Sequence, residues 1–177
     1  MKKELDEKLC ADHPLIFAER NKPMSETAMC WGFDCGDGWY TIIDTLCQLL
    51  TSQYHAALRE YKLLEGKVGL PKYSMPGADL VTQEEISKAK TKLDLKASQV
   101  PVAVQVKEKF GGLCFYVRGA SEEQWNYIHF AETLSRRTCV KCGAPGRTNR
   151  DGWHTTLCDA HALEAGKSLD IEEDLEG

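Results

Sequence analysis

The sequence predicts an α+β fold in which a small antiparallel sheet or hairpin is packed by two main helices and followed by a C-terminal zinc-ribbon or treble-clef-like module. Three observations predict this fold. Residues 41–63 carry apolar residues at helical spacing, residues 100–118 alternate as strands do, and two pairs of metal-ligand residues follow. The expected organisation is an α+β core domain over 1–137, a zinc-binding module over 138–166 and an acidic tail over 167–177.

The two main helices are predicted from apolar periodicity and from helix caps. Between residues 41 and 63 the apolar side chains recur every three or four positions, and Gly66 and Gly69 follow as stop signals. The second helix begins at Ser121-Glu-Glu-Gln124, which has the spacing of a capping box, and extends to about Arg137. A shorter polar helix is expected from Thr82 to about residue 95.

The segment 100–118 is predicted to be a β-hairpin. Valines at positions 100, 102, 104 and 106 alternate with other residues, which is typical of a strand with one buried face. Residues 113–117 form the expected return strand. The link contains Gly111-Gly112, which can adopt the positive φ angles that a tight hairpin turn requires.

The net charge of −5 is concentrated at the C-terminus. The segment 164–177 contains six acidic residues and one lysine, so it carries −5 and the remainder of the 177 residues is neutral. Hydrophobic residues make up 42% and charged residues 28%, which is typical of a globular protein. No apolar stretch reaches the length of a membrane helix, and the charged N-terminus leads into no apolar signal segment, so a cytoplasmic protein without membrane contact is expected.

A metal site is predicted by the spacing of four residues near the C-terminus. Cys139-x2-Cys142 is separated by fifteen residues from Cys158-x2-His161. Two close pairs of thiolate and imidazole ligands suit the tetrahedral coordination of zinc, and Gly143 allows the tight turn that the first pair needs. Four protein ligands close the coordination sphere, which indicates one structural Zn²⁺ as the cofactor.

A second metal site is a weaker hypothesis. Cys10-x2-His13 and Cys30-x4-Cys35 could supply four ligands, but the two pairs lie far apart in the sequence and the second has an unusual spacing. Isolated buried thiols are the favoured interpretation, and the alternative stays open at this point.

Two groups of residues form a candidate binding surface. Five basic residues fall within fifteen positions that contain no acid, so they could contact phosphates or form a solvated face balanced by the tail. The other group lies in the glycine-rich segment 30–40, where aspartates could contact a ligand or cap the next helix. The residues are Arg136, Arg137, Lys141, Arg147 and Arg150 in the first group, and Trp31, Asp34, Asp37 and Trp39 in the second.

The evidence for catalysis is weak. Acid–base chemistry could use Asp34, Asp37, His55, His129 or His154. His154 invites comparison with nucleases that carry a catalytic histidine on a treble-clef-like hairpin, but no companion Asn or His follows at a suitable spacing. No catalytic residue is therefore assigned, and an enzyme is the less favoured interpretation.

Several motifs resemble a group of small, mostly uncharacterised phage and prophage proteins. They are Gly36-Asp-Gly-Trp39, the hairpin Val106-Lys-Glu-Lys-Phe-Gly-Gly-Leu-Cys-Phe-Tyr-Val117, and the module from Thr138-Cys-Val-Lys-Cys-Gly to Cys-Asp-Ala-His161. The resemblance covers about residues 30–165. It implies a phage-related origin, hence the cytoplasm of a bacterial host, and it supports the zinc ligands but brings no activity. It also implies that Cys114 is not a ligand.

The leading functional hypothesis is a non-catalytic, phage-related zinc-binding protein. We expect it to bind a host protein, such as a defence or regulatory factor, and to inhibit or redirect it. The alternative is a nucleic-acid-binding protein or nuclease that acts through the basic zinc module.

Overall fold

The computed structural model describes residues 1–75, 77–150 and 152–168, and it confirms an α+β fold. Most of the predicted acidic tail, residues 169–177, lies outside the described residues. The helices are α1 (Lys3–Asp12), α2 (Tyr40–Leu64), α3 (Gln83–Ser98), α4 (Glu122–Ser135) and α5 (Asp159–Glu164). The strands are β1 (Phe33–Asp34), β2 (Val102–Lys109), β3 (Gly112–Arg118), β4 (Arg147–Asn149) and β5 (Thr155–Leu157).

The strands form a three-stranded sheet with the order β1-β2-β3 and a separate β4-β5 hairpin. The predicted antiparallel pairing of β2 with β3 is confirmed. The two-residue strand β1, which the sequence pattern did not predict, pairs in parallel with β2 and places Phe33 opposite Val106. Short 3-10 turns, Ala28–Trp31 and Asp37–Trp39, lie on either side of β1.

The expected valine face of β2 is interrupted by a β-bulge. The strand register shifts between Ala103 and Gln105, and an inserted residue reverses the side on which the following side chains point. Ala103 and Val106 are therefore the fully buried side chains, whereas Val102 and Val104 are half-buried. The prediction of strict alternation was wrong because it assumed an unbroken strand.

The turn of the β2–β3 hairpin lies one residue earlier than predicted. Its two residues are Phe110, at φ 51°, and Gly111, at φ 74°, while Gly112 belongs to β3 and pairs with Lys109. Two central residues with positive φ define the turn that best matches the twist of a hairpin. The position that is usually Asn or Gly in such a turn is here occupied by an exposed phenylalanine.

The helices cover one face and one edge of the sheet. α2 packs against α3 and α4, and the main core contains Ile43, Leu46, Phe115 and Ile128. Both helices predicted to start at a cap have a complete capping box, Thr82 with Glu85 and Ser121 with Gln124. No helix of the described residues is both long enough and apolar enough to cross a lipid bilayer.

Side chains of α4 satisfy the outer edge of β3. The amide of Phe115 donates to Glu132 Oε1 at 2.9 Å, and the amide of Leu113 donates to Ser135 Oγ at 2.8 Å. An uncovered strand edge presents unpaired backbone groups, so these two bonds both close the sheet and fix α4 against it.

Replacement of Ser135 by alanine tests this edge contact. The substitution leaves the buried Leu113 amide without its acceptor, so the free energy of unfolding should fall by about 1–3 kcal/mol. Urea denaturation measures the change. Ser87→Ala, at an exposed position on α3, is the matched control and should change stability by less than about 0.5 kcal/mol. Equal effects of the two substitutions would contradict the assigned role.

Candidate metal centre and its supporting loop

Four predicted ligand residues come together at one point. Cys139 and Cys142 lie on the turn between α4 and β4, Cys158 caps α5, and His161 lies in the first turn of that helix. Their ligand atoms all lie within 4.8 Å of one another, so the group could hold one metal ion. Cys139 is fully buried, whereas Cys142 is exposed.

The individual distances are those of atoms arranged around a common centre. Cys139 Sγ lies 3.4 Å from His161 Nδ1, Cys158 Sγ lies 3.2 Å from the same nitrogen, and Cys142 Sγ lies 3.8 Å from Cys158 Sγ. The imidazole therefore presents Nδ1 to the sulfurs. Its other nitrogen, Nε2, lies 3.8 Å from a carboxylate oxygen of Glu164, a neighbour of the kind that orients metal-bound histidines.

The electrostatics of the sulfurs favour an added cation. Burial alone would raise the pKa of the Cys139 thiol, but backbone N–H groups of Cys158, Cys142 and Lys141 outweigh it and lower that pKa to about 6. At Cys142 the Ala144 amide lowers the pKa, yet burial and the neighbouring sulfurs of Cys139 and Cys158 raise it above its usual value. A cation between the sulfurs would remove this mutual repulsion, because metal binding requires thiolates and displaces their protons.

The turn that carries the first pair is closed by its own backbone. The Cys139 amide donates to Ala144 O at 2.8 Å, and the Gly143 amide donates to Cys139 O at 2.9 Å. Gly143 has a φ of 78°, as its predicted role in a tight turn requires. The β4–β5 hairpin supports the turn from one side, because the Val140 amide donates to Thr156 O at 2.9 Å.

The segment 36–39 supports the same turn from the other side through direct backbone contact. The Gly38 amide donates to Val140 O at 2.9 Å. A Cβ atom at Gly38 would lie 2.1 Å from Cys139 O and 2.7 Å from the Cys142 amide nitrogen, and one at Gly36 would lie 2.1 Å from Val140 O. Only glycine fits at such distances from another backbone. We call residues 36–39 the supporting loop.

Two residues of the predicted binding surface turn out to fix the supporting loop. Trp39 is fully buried and its indole Nε1 donates to Thr138 O at 2.8 Å, so its assignment to an exposed surface was wrong. Asp37 accepts the Lys2 amide at 2.7 Å, and this amide together with the Lys2 ammonium lowers the pKa of Asp37. The other two residues, Trp31 and Asp34, are exposed.

The five basic residues of the predicted surface are all exposed. Arg136 Nη1 donates to Phe110 O at 3.0 Å, and Arg147 Nη1 lies 3.0 Å from Asp159 Oδ1. The ion pair at Asp159 joins β4 to the first turn of α5 and so braces the helix that carries His161. Arg136 and Arg147 of the basic surface therefore also help to hold the fold together.

The residues of the second metal hypothesis are not brought together. Cys10 Sγ donates to Asp6, His13 Nε2 lies 2.8 Å from Asp44 Oδ1, and Cys30 Sγ donates to Thr27 O. Cys35 is buried, and burial raises the pKa of its thiol to about 12. Within residues 1–75, 77–150 and 152–168 the ligand residues form one group that could hold a metal, the one around Cys139.

The histidines considered for catalysis lie in three different parts of the fold. His55 is on α2 beside Tyr54, His129 is on α4 beside Trp125, and the ring of His154 lies 6.4 Å from that of Phe110. Burial lowers the pKa of His55. None of the three is among the four residues of the metal group.

Sequence reasoning missed the supporting role of Gly36 and Gly38. The signal was available in the spacing Gly-x-Gly, because glycine is the residue that allows two backbones to approach closely. The spacing could not show which other backbone segment lies against these two glycines.

No protein-family profile matches the chain, and neither curated proteins nor solved structures show a significant match to it. The assignment of a function therefore depends on the chemistry of the site itself.

Replacement of Gly38 by alanine tests the supporting loop. The added Cβ would meet the backbone of the Cys139–Gly143 turn, so stability should fall by about 3 kcal/mol or more and metal retention should decrease. Thermal unfolding and metal content after gel filtration measure the two effects. Gly119→Ala is the control, because its Cβ would enter open space and only the positive φ would cost about 1 kcal/mol. A Gly38→Ala protein with wild-type metal content and stability would refute the assignment.

Proposed function

We propose that the metal centre binds one zinc ion. Two thiolates at about 2.3 Å from a tetrahedral zinc would lie about 3.8 Å apart, and a thiolate and an imidazole nitrogen would lie about 3.6 Å apart. The corresponding distances are 3.8 Å for Cys142 to Cys158 and 3.2–3.4 Å for His161 Nδ1 to two sulfurs. A Cys3His donor set is one that zinc prefers, so the residues fit the ion.

The proposed zinc has a structural role. Cys139, Cys142, Cys158 and His161 supply all four positions of a tetrahedral site and leave none for a substrate. A cysteine-bearing turn, a hairpin and a short helix that carries the last ligand follow one another in the order of a treble-clef-like module. The segment is too small to build a core of its own, so metal binding would contribute directly to its folding.

For the whole chain we infer a non-catalytic binding protein of phage-related origin that binds and modulates a host protein. The closed ligand set carries this proposal, because it stabilises a surface without offering a reactive position. Two large apolar side chains on that module face solvent: Trp153 is 82% exposed and Leu163 is 62% exposed. Tryptophan and arginine are among the residue types that most often dominate protein–protein binding energy, and the module exposes both.

Binding of nucleic acid is the second candidate function. The observation that favours it is the exposure of Arg136, Arg137, Lys141, Arg147 and Arg150 together, in a segment without acidic residues. Exposed guanidinium and ammonium groups supply the salt-dependent affinity for phosphates that all nucleic-acid-binding proteins share.

The zinc proposal predicts close to one zinc per chain in purified protein. Inductively coupled plasma mass spectrometry measures this ratio. A Cys139→Ser/Cys142→Ser double variant should lose the metal and unfold at a lower temperature, because the binding free energy of a structural zinc is folding free energy. A Cys10→Ser/Cys30→Ser variant is the matched control and should keep the metal. The proposal would be contradicted if the first variant kept full stability. It would also be contradicted if protein expressed with comparable amounts of several metals contained a metal other than zinc.

The host-protein proposal predicts one specific partner in affinity purification from bacterial lysate. The partner, once identified and purified, should bind the wild-type chain directly in calorimetry. Trp153→Ala/Leu163→Ala should weaken this binding by about 2 kcal/mol or more, as truncation of interface anchors does. Tyr73→Ala/Leu63→Ala, at positions 71% and 66% exposed elsewhere in the fold, should leave the affinity unchanged. The proposal fails if no purified candidate binds directly.

A further inference from the structure

The β2–β3 turn contains an unusual residue for its backbone conformation. Phe110 has a φ of 51° and is 64% exposed, so it neither suits the left-handed region nor contributes a buried side chain. Asparagine or glycine would form the same turn without strain. A residue other than glycine or asparagine costs about 1–2 kcal/mol in this region, and such strain tends to occur where the side chain has a function.

The turn is held firmly in place by the β4–β5 hairpin. The Thr156 hydroxyl donates to Gly111 O at 2.5 Å and is itself 2.8 Å from the Thr148 hydroxyl. Arg136 also donates to the turn, at Phe110 O. The Phe110 ring is therefore displayed on a rigid support formed by two hairpins and the end of α4.

An ammonium group and an imidazole ring lie next to this ring. Lys109 Nζ lies 5.3 Å from its centroid and the His154 ring lies 6.4 Å away. Trp153, next to His154, is the most exposed of the large apolar residues in the described chain. Exposed rings beside ammonium and guanidinium groups can stack on bases and neutralise phosphates at the same time.

The outer face of the hairpin continues this pattern. Lys107 Nζ lies 5.7 Å from the centroid of Tyr116, which is 41% exposed. The acidic residue between the two lysines, Glu108, pairs in register with the buried Leu113 and so lies on the opposite face. Asp34 of β1, which pairs with Lys107, marks the border of the face.

We propose that this tip surface, formed by Lys107, Lys109, Phe110, Tyr116, Arg136 and Trp153, binds single-stranded nucleic acid. Unpaired bases stack on the exposed rings, and the lysines and Arg136 contact the phosphates. Base-paired strands do not offer free base faces, so single strands are preferred over duplex. The inference rests on the second candidate function and does not depend on the host-protein proposal.

The first test is fluorescence anisotropy with fluorescein-labelled oligothymidylate and oligouridylate of about twenty nucleotides. Phe110→Asn and Trp153→Ala should each raise the Kd about tenfold, because base stacking on one ring contributes about that factor. Phe130→Ala, at a phenylalanine on α4 that is 66% exposed, and Tyr73→Ala, at 71% exposed, are the matched controls and should leave the Kd within about twofold. Comparison of the two oligonucleotides shows whether DNA or RNA is preferred.

Two further readouts separate a binding role from a structural one. Lys109→Gln and Arg136→Gln should each reduce the slope of log Kd against log salt by about 0.7, the value for one phosphate contact on a single strand. Phe110→Asn should also raise the Tm by about 2–4 °C while it weakens binding, because asparagine relieves the strain of the turn. A substitution that only damaged the fold would lower both the Tm and the affinity for the oligonucleotide.

Each contrary result overturns the inference. Absence of oligonucleotide binding at low salt, equal affinity for duplex and single strands, or wild-type affinity of Phe110→Asn would do so. If Phe110→Asn instead loses a purified host protein and no oligonucleotide binds, the tip surface serves a protein partner. Zinc content measured on the same variants keeps a failure of the metal centre separate from a failure of this surface.

Discussion

The backbone contact between the supporting loop and the cysteine-bearing turn is the constraint on which the rest of the structure depends. The peptide groups of that turn make contacts on two sides. Their N–H groups lower the pKa of the Cys139 thiol, while the carbonyl groups of Cys139 and Val140 face Gly36 and Gly38. The peptide group between Val140 and Lys141 therefore links the metal centre to the supporting loop, and side chains larger than hydrogen at the two glycines would separate the loop from the turn.

This contact makes the metal centre part of the main fold. Trp39, the last residue of the supporting loop, is buried in the core and directly precedes α2, while Val140 and Leu157 belong to the same buried cluster. The longest helix and the ligand-bearing turn are thus positioned by one short segment. A site placed on rigid, packed elements keeps its side chains oriented.

Local patterns predicted the elements well, and contacts between distant segments account for most of the errors. The helix over 41–63, the capping boxes and the spacing of the Cys/His pairs are local signals, and each is confirmed as an element or a cluster. The bulge after Ala103 and the one-residue shift of the hairpin turn depend on how strands pair. The burial of Trp39 depends on a carbonyl 99 positions away, at Thr138, which no local pattern encodes.

Thr156 connects regions that are far apart in the sequence. Its carbonyl accepts the Val140 amide of the cysteine-bearing turn, and its buried hydroxyl donates to Gly111 at the tip of the β2–β3 hairpin. A displacement of Thr156 that changes the hydrogen bond of its carbonyl therefore also changes the hydrogen bond of its hydroxyl. Thermodynamic linkage then requires the coupling to be reciprocal. If an ion at the cysteines strengthens binding of a molecule at the hairpin tip, that molecule must strengthen binding of the ion by the same free energy.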